Sequence, residues 1–182
     1  MTDFVAFDPL ARAQRAGEAV SIRPATASDA EALSVVMATR GGDMDGYREQ
    51  ARGLIERLPV LSVAEIDREL VGYCGAQPFV IEPGREPEWL IAGLTVVPVH
   101  RRRGIAARLL LDVLDKVHDS SAEEPVFSVI NAQNLASIRL HEALGFEEVG
   151  RAATLARIEF TGGEGVLLRR RPAARRAAAT DS

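Results

Sequence analysis

A single mixed α/β domain of the α+β class is predicted by three observations. The 182 residues are the size of one domain, and a second core would leave each half near the lower limit for burying enough apolar surface. Two β-rich runs, 60–66 and 70–80, flank a polar turn at Asp67, Arg68 and Glu69 and read as an antiparallel hairpin. Two apolar runs, 89–97 and 125–131, enclose the most regular helical pattern in the chain. A strand, helix and strand of that length imply a right-handed crossover between parallel neighbours.

The elements follow in order. Residues 1–20, with Phe4, Phe7 and Leu10 spaced by three, read as an arm, either a short docked helix or an irregular segment; Phe4 and Phe7 are candidates for a homodimer contact. Ser21, Ile22, Arg23 and Pro24 form a short strand. Thr26 and Asp29 supply N-cap chemistry before an amphipathic run over 30–40. Gly41, Gly42 and Gly46 break it, and 47–58 resumes a helical pattern with Leu54, Ile55 and Leu58 on one side. After the hairpin, Pro83, Gly84 and Pro87 mark a loop. Residues 89–97 are too continuously apolar for a sheet with one wet face, which makes them a central strand, stopped by Pro98. Over 104–117, Ile105, Leu109, Val113 and Val117 repeat at four, joined by Leu110 and Leu114, while Arg108, Asp112, Asp115 and Lys116 fall elsewhere. A last helix over 134–144 ends at Gly145, and strands at 147–159 and 165–170 follow across a turn at 161–163. The domain is thus expected over 21–171, with a basic tail over 172–182 too poor in apolar residues to pack.

Composition removes several classes of function. Hydrophobic residues at 47 % and charged residues at 26 % exclude collagen-like, disordered and coiled-coil chains. The charge-free stretch around Trp89 to Val99 is about half of the roughly 20 residues a membrane helix needs, and Asp3 and Asp8 stand where a signal peptide carries cations. A cytoplasmic protein with no membrane partner is expected. Cys74 alone forms neither an internal disulfide nor a multi-thiolate zinc site, and no metal is expected. The net charge of −4 is uneven: five arginines against Asp181 give residues 169–182 a charge of +4, which leaves −8 on residues 1–168. An acidic body argues against a nucleic-acid surface, which needs clustered cations, and leans toward cationic small molecules.

Chemistry concentrates where the strongest helix begins. Arg101, Arg102 and Arg103 precede Gly104, Ile105 and Ala106. Cations at a helix N-terminus are unfavourable by about 0.3 to 1 kcal/mol each, so an anion is expected there, seated on the unpaired N–H groups. No Walker loop and no dinucleotide fingerprint occurs. The run Arg101–Ala106 resembles the acyl-CoA-binding motif [Q/R]xxGx[G/A] of the GNAT superfamily of N-acetyltransferases, and Leu94–Pro98 resembles its LxVxP strand. A second segment, Asn134–Phe146, resembles the NxxAxxLYExLGF run of the same superfamily, and its SIRLHEALGF part is similar to phosphinothricin-type acetyltransferases.

The resemblance implies a GNAT fold, a mostly antiparallel twisted sheet with a splayed parallel pair and about four helices, binding acetyl-CoA as co-substrate. It implies that Val96 and Val97 hold the pantetheine and thioester by main-chain groups, one N–H among them serving the oxyanion. Arg101, Arg102, Arg103, Gly104, Ile105 and Ala106 would seat the pyrophosphate, with Asn131 and Asn134 as polar contacts. The implied reaction is direct attack of a primary amine, of a small molecule or peptide, on the thioester. His141 stands where relatives carry a Tyr that protonates the leaving thiolate, and an imidazole of ordinary pKa about 6.5 suits that task. Relatives carry a Glu in the central strand, but Leu90, Ile91, Ala92, Gly93 and Leu94 offer none. Glu88, Tyr73 or a water chain are the candidate bases. Asp43, Asp45 and Glu49 around Tyr47, with Tyr73, are candidates for binding a cationic acceptor. A binding module with little or no turnover is the alternative reading.

Overall fold

The computed structural model describes residues 19–172 apart from Gly42 and Thr161. The arm expected over 1–20 lies outside these residues up to position 18, Phe4 and Phe7 included, and so does the tail from 173. Among the described residues nine strands form, in chain order: β1 Ser21–Pro24, β2 Val60–Ile66, β3 Glu69–Phe79, β4 Glu88–Val96, β5 Val126–Asn131, β6 Glu147–Ala152, β7 Thr154–Leu155, β8 Ile158–Glu159 and β9 Gly165–Arg170. The α-helices are α1 Ala30–Ala38, α2 Met44–Arg57, α3 Ile105–Ser120 and α4 Leu135–Ala143. Seven strands make one sheet in the order β1-β2-β3-β4-β5-β9-β6, and β7 and β8 pair separately. Every pair in the large sheet is antiparallel except β4 with β5. The mixed α+β architecture, its parallel pair and its four helices agree with the expectation from sequence.

Alternation along β2 and β3 assigns the two faces of the sheet. Ala64, Ile66, Cys74 and Ala76 point into a core with Ile105, Leu109, Leu110 and Val113 of α3, while Leu61, Val63 and Tyr73 point to Leu33, Val36 and Met37 of α1. Period-2 strands and a period-4 helix therefore fill one sandwich, with α3 on one face and α1 and α2 on the other. Burial of a side chain such as Leu109 or Leu110 stabilises by about 1.5–3 kcal/mol. The segment expected as one strand over 147–159 is broken instead. Ala156 and Arg157 take φ of 49° and 63°, forming a two-residue turn between β7 and β8 without a glycine. None of the described helices is long and apolar enough to cross a membrane.

Candidate active site

The strands β4 and β5 are joined at Trp89–Val126 and Leu90–Phe127 and nowhere beyond. Each strand keeps its partner on the far side, β3 for β4 and β9 for β5, so the two separate like an opened wedge. A bulge in β4 assists this: Ala92 and Gly93 together oppose Gly75, between the pairs Ala76–Ile91 and Cys74–Leu94. Gly93 sits at φ 121°, and a Cβ there would lie 3.3 Å from the Tyr73 hydroxyl and ring. Glycine is what this bend and its contact permit.

The wedge forms a cleft of about 1130 Å³ lined by β4 from Leu90 to Val96, β5 from Ser128 to Asn131, the start of α3, and α4. Backbone register assigns the polar groups on its β4 edge. Val97 N–H donates to Val71 O at 2.9 Å, which makes Gly72–Val96 a non-hydrogen-bonded pair. Val96, and Leu94 two residues earlier, therefore turn their N–H and C=O away from β3 toward the cleft. Side chains take both carbonyls: Arg101 Nε donates to Val96 O at 3.0 Å and Arg40 Nη2 to Leu94 O at 2.9 Å. The Val97 N–H is consequently unavailable as an oxyanion donor, which leaves Val96 of the two expected candidates, and Val97, expected to hold the cofactor as well, does not line the cleft.

At the α3 end, Gly104 occupies the left-handed region at φ 77° as N-cap, and Arg102 also has a positive φ of 60°. The N–H groups of Ile105, Ala106 and Ala107 have no carbonyl one turn earlier in the helix, and all three residues line the cleft with Arg101, Arg102 and Gly104. Arg103 turns aside and donates to His100 Nδ1 at 2.9 Å. Asn131 and Asn134 both line the cleft. Their side-chain Oδ1 atoms accept from Gln133 N–H at 2.9 Å and Ser137 N–H at 3.2 Å, so each also closes the local turn into α4.

His141 and Ser128 line the cleft where α4 meets β5. The imidazole is 1 % exposed. Its Nδ1 lies 2.8 Å from Ser137 O, which only accepts, so Nδ1 carries the proton; Nε2, 3.1 Å from Ser128 Oγ, then accepts from the hydroxyl. Phe146 packs on the ring edge-on at 5.0 Å. Burial pushes the pKa below the ordinary value, opposed by the Ser137 carbonyl. The expected acid at His141 meets this obstacle: burial favours the neutral ring, which with Nδ1–H on Ser137 O has no proton on the nitrogen that meets Ser128. Ser128 was missed in the sequence because it sits within an apolar run; a hydroxyl between Phe127 and Val129 in a strand buried on both faces is the signal that could have found it.

The remaining candidates lie apart. Asp43 caps α2, accepting from Gly46 N–H at 2.9 Å; Asp45 pairs with Arg48 at 2.8 Å; the Tyr47 hydroxyl donates to Gly41 O at 2.6 Å. None of these, nor Glu49, lines the cleft, and Glu88 lies before its first β4 residue. Tyr73 is buried against Gly93 with the Arg40 guanidinium 6.0 Å above its ring. The loop once expected to attract a cation spends its carboxylates on the helix and on arginine. Among the described residues no cluster of His, Cys, Asp or Glu is built to hold a metal.

A splayed parallel pair beside a glycine-led helix is the arrangement the resemblance to the GNAT superfamily implies, and comparison with known proteins assigns the family. The sequence model of the Acetyltransferase (GNAT) family matches residues 33–146, and the chain belongs to that family. Human N-acetyltransferase 8B is 34 % identical over 90 residues, 50 % of this chain; those residues span only 39 % of the human protein. Phosphinothricin N-acetyltransferase of Streptomyces viridochromogenes is 29 % identical over 143 residues, covering 72 % of this chain and 76 % of that protein. Among solved structures, yncA of Salmonella typhimurium with its cofactor acetyl-CoA superposes with a TM-score of 0.69 at 21 % identity, covering 90 % of this chain and 99 % of that one.

Proposed function

We propose that the protein transfers an acetyl group from acetyl-CoA to a primary amine that itself bears an anionic group. The single observation that carries the reading is the wedge between β4 and β5 ending at the α3 N-terminus. Acetyl-CoA supplies an activated thioester. The residues suited to hold it are Val96 through its cleft-facing N–H, and Arg101, Arg102, Gly104, Ile105 and Ala106 around the first turn of α3, where backbone N–H groups and cations favour a pyrophosphate. Asn131 and Asn134 border the same space. The Val96 N–H is also the donor best oriented for a developing oxyanion.

The charge of the cleft supports the choice of acceptor. Its described lining contains no Asp or Glu, whereas Arg40, Arg101, Arg102 and Arg139 all contribute. Three of these belong to the α3 and α4 side; Arg40 stands alone at the end of α1, beside Tyr73 and the β4 bulge. Thr95, paired with Tyr73 on that face, keeps a buried hydroxyl without a partner among the described residues. A dication finds no counter-charge here, while a carboxylate finds a guanidinium. The cationic acceptor expected from the acidic composition is replaced on this ground. Acetyl-CoA incubated with paired amines, with and without a carboxylate beside the amino group, tests the reading by thiol release. Release only with the carboxylate-bearing amines is expected; binding of CoA without any acceptor-dependent release would favour the binding-module alternative.

A further inference from the structure

We propose that Ser128 and His141 form a proton shuttle that serves successively as base and acid, with Ser128 the group that touches the reactants. The inference rests on the acetyl-transfer reading above and addresses its missing piece: among the described residues no carboxylate lines the cleft to act as base.

Three features carry it. The hydroxyl and Nε2 are 3.1 Å apart and both residues line the cleft. The Nδ1–H is anchored on Ser137 O at 2.8 Å, which fixes the tautomer and presents a lone pair toward Ser128. The ring cannot swing away, since it is buried against Phe146. A base oriented by a third group and bonded to a hydroxyl is an arrangement suited to moving a proton. Among the described residues no carboxylate or guanidinium shifts the ring; burial favours the neutral form and the Ser137 carbonyl steadies the charged one. Ser128 on β5, Ser137 on α4 and Phe146 after α4 are the groups given to it by the elements packed around it.

The balance of the step is as follows. A neutral amine nitrogen bonds to the acetyl carbon; the adduct nitrogen then gives its surplus proton to Ser128 Oγ while the Ser128 proton passes to His141 Nε2. As the carbon–sulfur bond breaks, the imidazolium returns that proton to Ser128 Oγ and the hydroxyl proton goes to the departing sulfur. An amide and a thiol leave, and serine and neutral imidazole are restored. Two groups thereby serve where the resemblance implied a strand carboxylate and a phenol.

The test is steady-state thiol release by the full chain and its S128A, S128T and H141N variants, with CoA-induced thermal stabilisation measured alongside. Expected are an unchanged KM for acetyl-CoA and a kcat lowered about 10²-fold or more in S128A and H141N, rescue by S128T, and a double variant no slower than either single one. The acid limb of the wild-type kcat profile should vanish in H141N. Turnover by the wild type with S128A within twofold of it overturns the shuttle and leaves acetyl transfer standing. A wild type that releases no thiol with any amine overturns acetyl transfer and the shuttle together. If S128A loses its response to CoA, S128T decides: wild-type kcat supports the shuttle, and a kcat as low as that of H141N overturns it.

Discussion

Leu90 and Phe127 form the last bridge between β4 and β5, and apart from Leu90 itself every described cleft-lining residue on those two strands lies beyond it. Both side chains are buried in a cluster with Ile81, Ala156 and Leu167. The hinge of the wedge is therefore packed. Phe127→Ala should cost about 3–5 kcal/mol by leaving a cavity. A denaturant midpoint lowered accordingly, with CoA affinity reduced in the folded fraction, is the expected result.

At the other end of the wedge, Gly104→Glu puts bulk and negative charge where the phosphates would sit, at a backbone φ of 77°. Thermal stabilisation by CoA should disappear. Gly104→Ala adds only the left-handed strain of about 1–2 kcal/mol and should bind CoA more weakly than the wild type, measured by calorimetry.

Gly93 makes a parallel case within the strand. With φ at 121° and the Tyr73 ring 3.3 Å from any Cβ, Gly93→Ala should lower stability by about 1–3 kcal/mol and flatten the bulge. An unchanged Tm would show that β4 does not depend on this bend.

Arg40→Glu is expected to lower kcat/KM for a carboxylate-bearing amine about ten- to hundredfold, the loss of a charged hydrogen bond of about 1.5–3 kcal/mol, while leaving the KM for acetyl-CoA unchanged. Equal losses for amines with and without the carboxylate would assign Arg40 to β4 alone, through Leu94 O.

Acid stability has a distinct source. The Arg23 guanidinium, bonded to both oxygens of Asp29 at 2.7 and 2.8 Å, holds that carboxyl down to about 2. Because the folded pKa lies below the ordinary carboxylate value, the contribution is complete above about pH 4–5 and is lost as the pH falls toward 2. The denaturant midpoint of the wild type should fall across that window, and that of Asp29→Asn should fall less.

The frame of the site was legible in the sequence because its signals are strong and local: an apolar strand stopped by Pro98, a helix with apolar residues every fourth position, and a glycine after three arginines. What escaped depends on register and on competition between neighbours. That Val96 faces the cleft and Val97 does not follows from one hydrogen bond to Val71, which no local pattern specifies. Asp43 and Asp45 looked like a cation site, yet a helix N-terminus and Arg48 consume them. Ser128 read as core because it is core, 3 % exposed, and only its distance to His141 gives it a chemical meaning. The turn at Ala156 and Arg157 was hidden by the absence of glycine.

The most direct test of the central claim is acceptor-dependent release of thiol from acetyl-CoA, followed in one assay with an α-amino acid and with the matching amine lacking its carboxylate. Release at a rate set by the amino acid concentration, lost in Gly104→Glu, is the predicted result. Saturable binding of acetyl-CoA with no thiol release from any amine would contradict it.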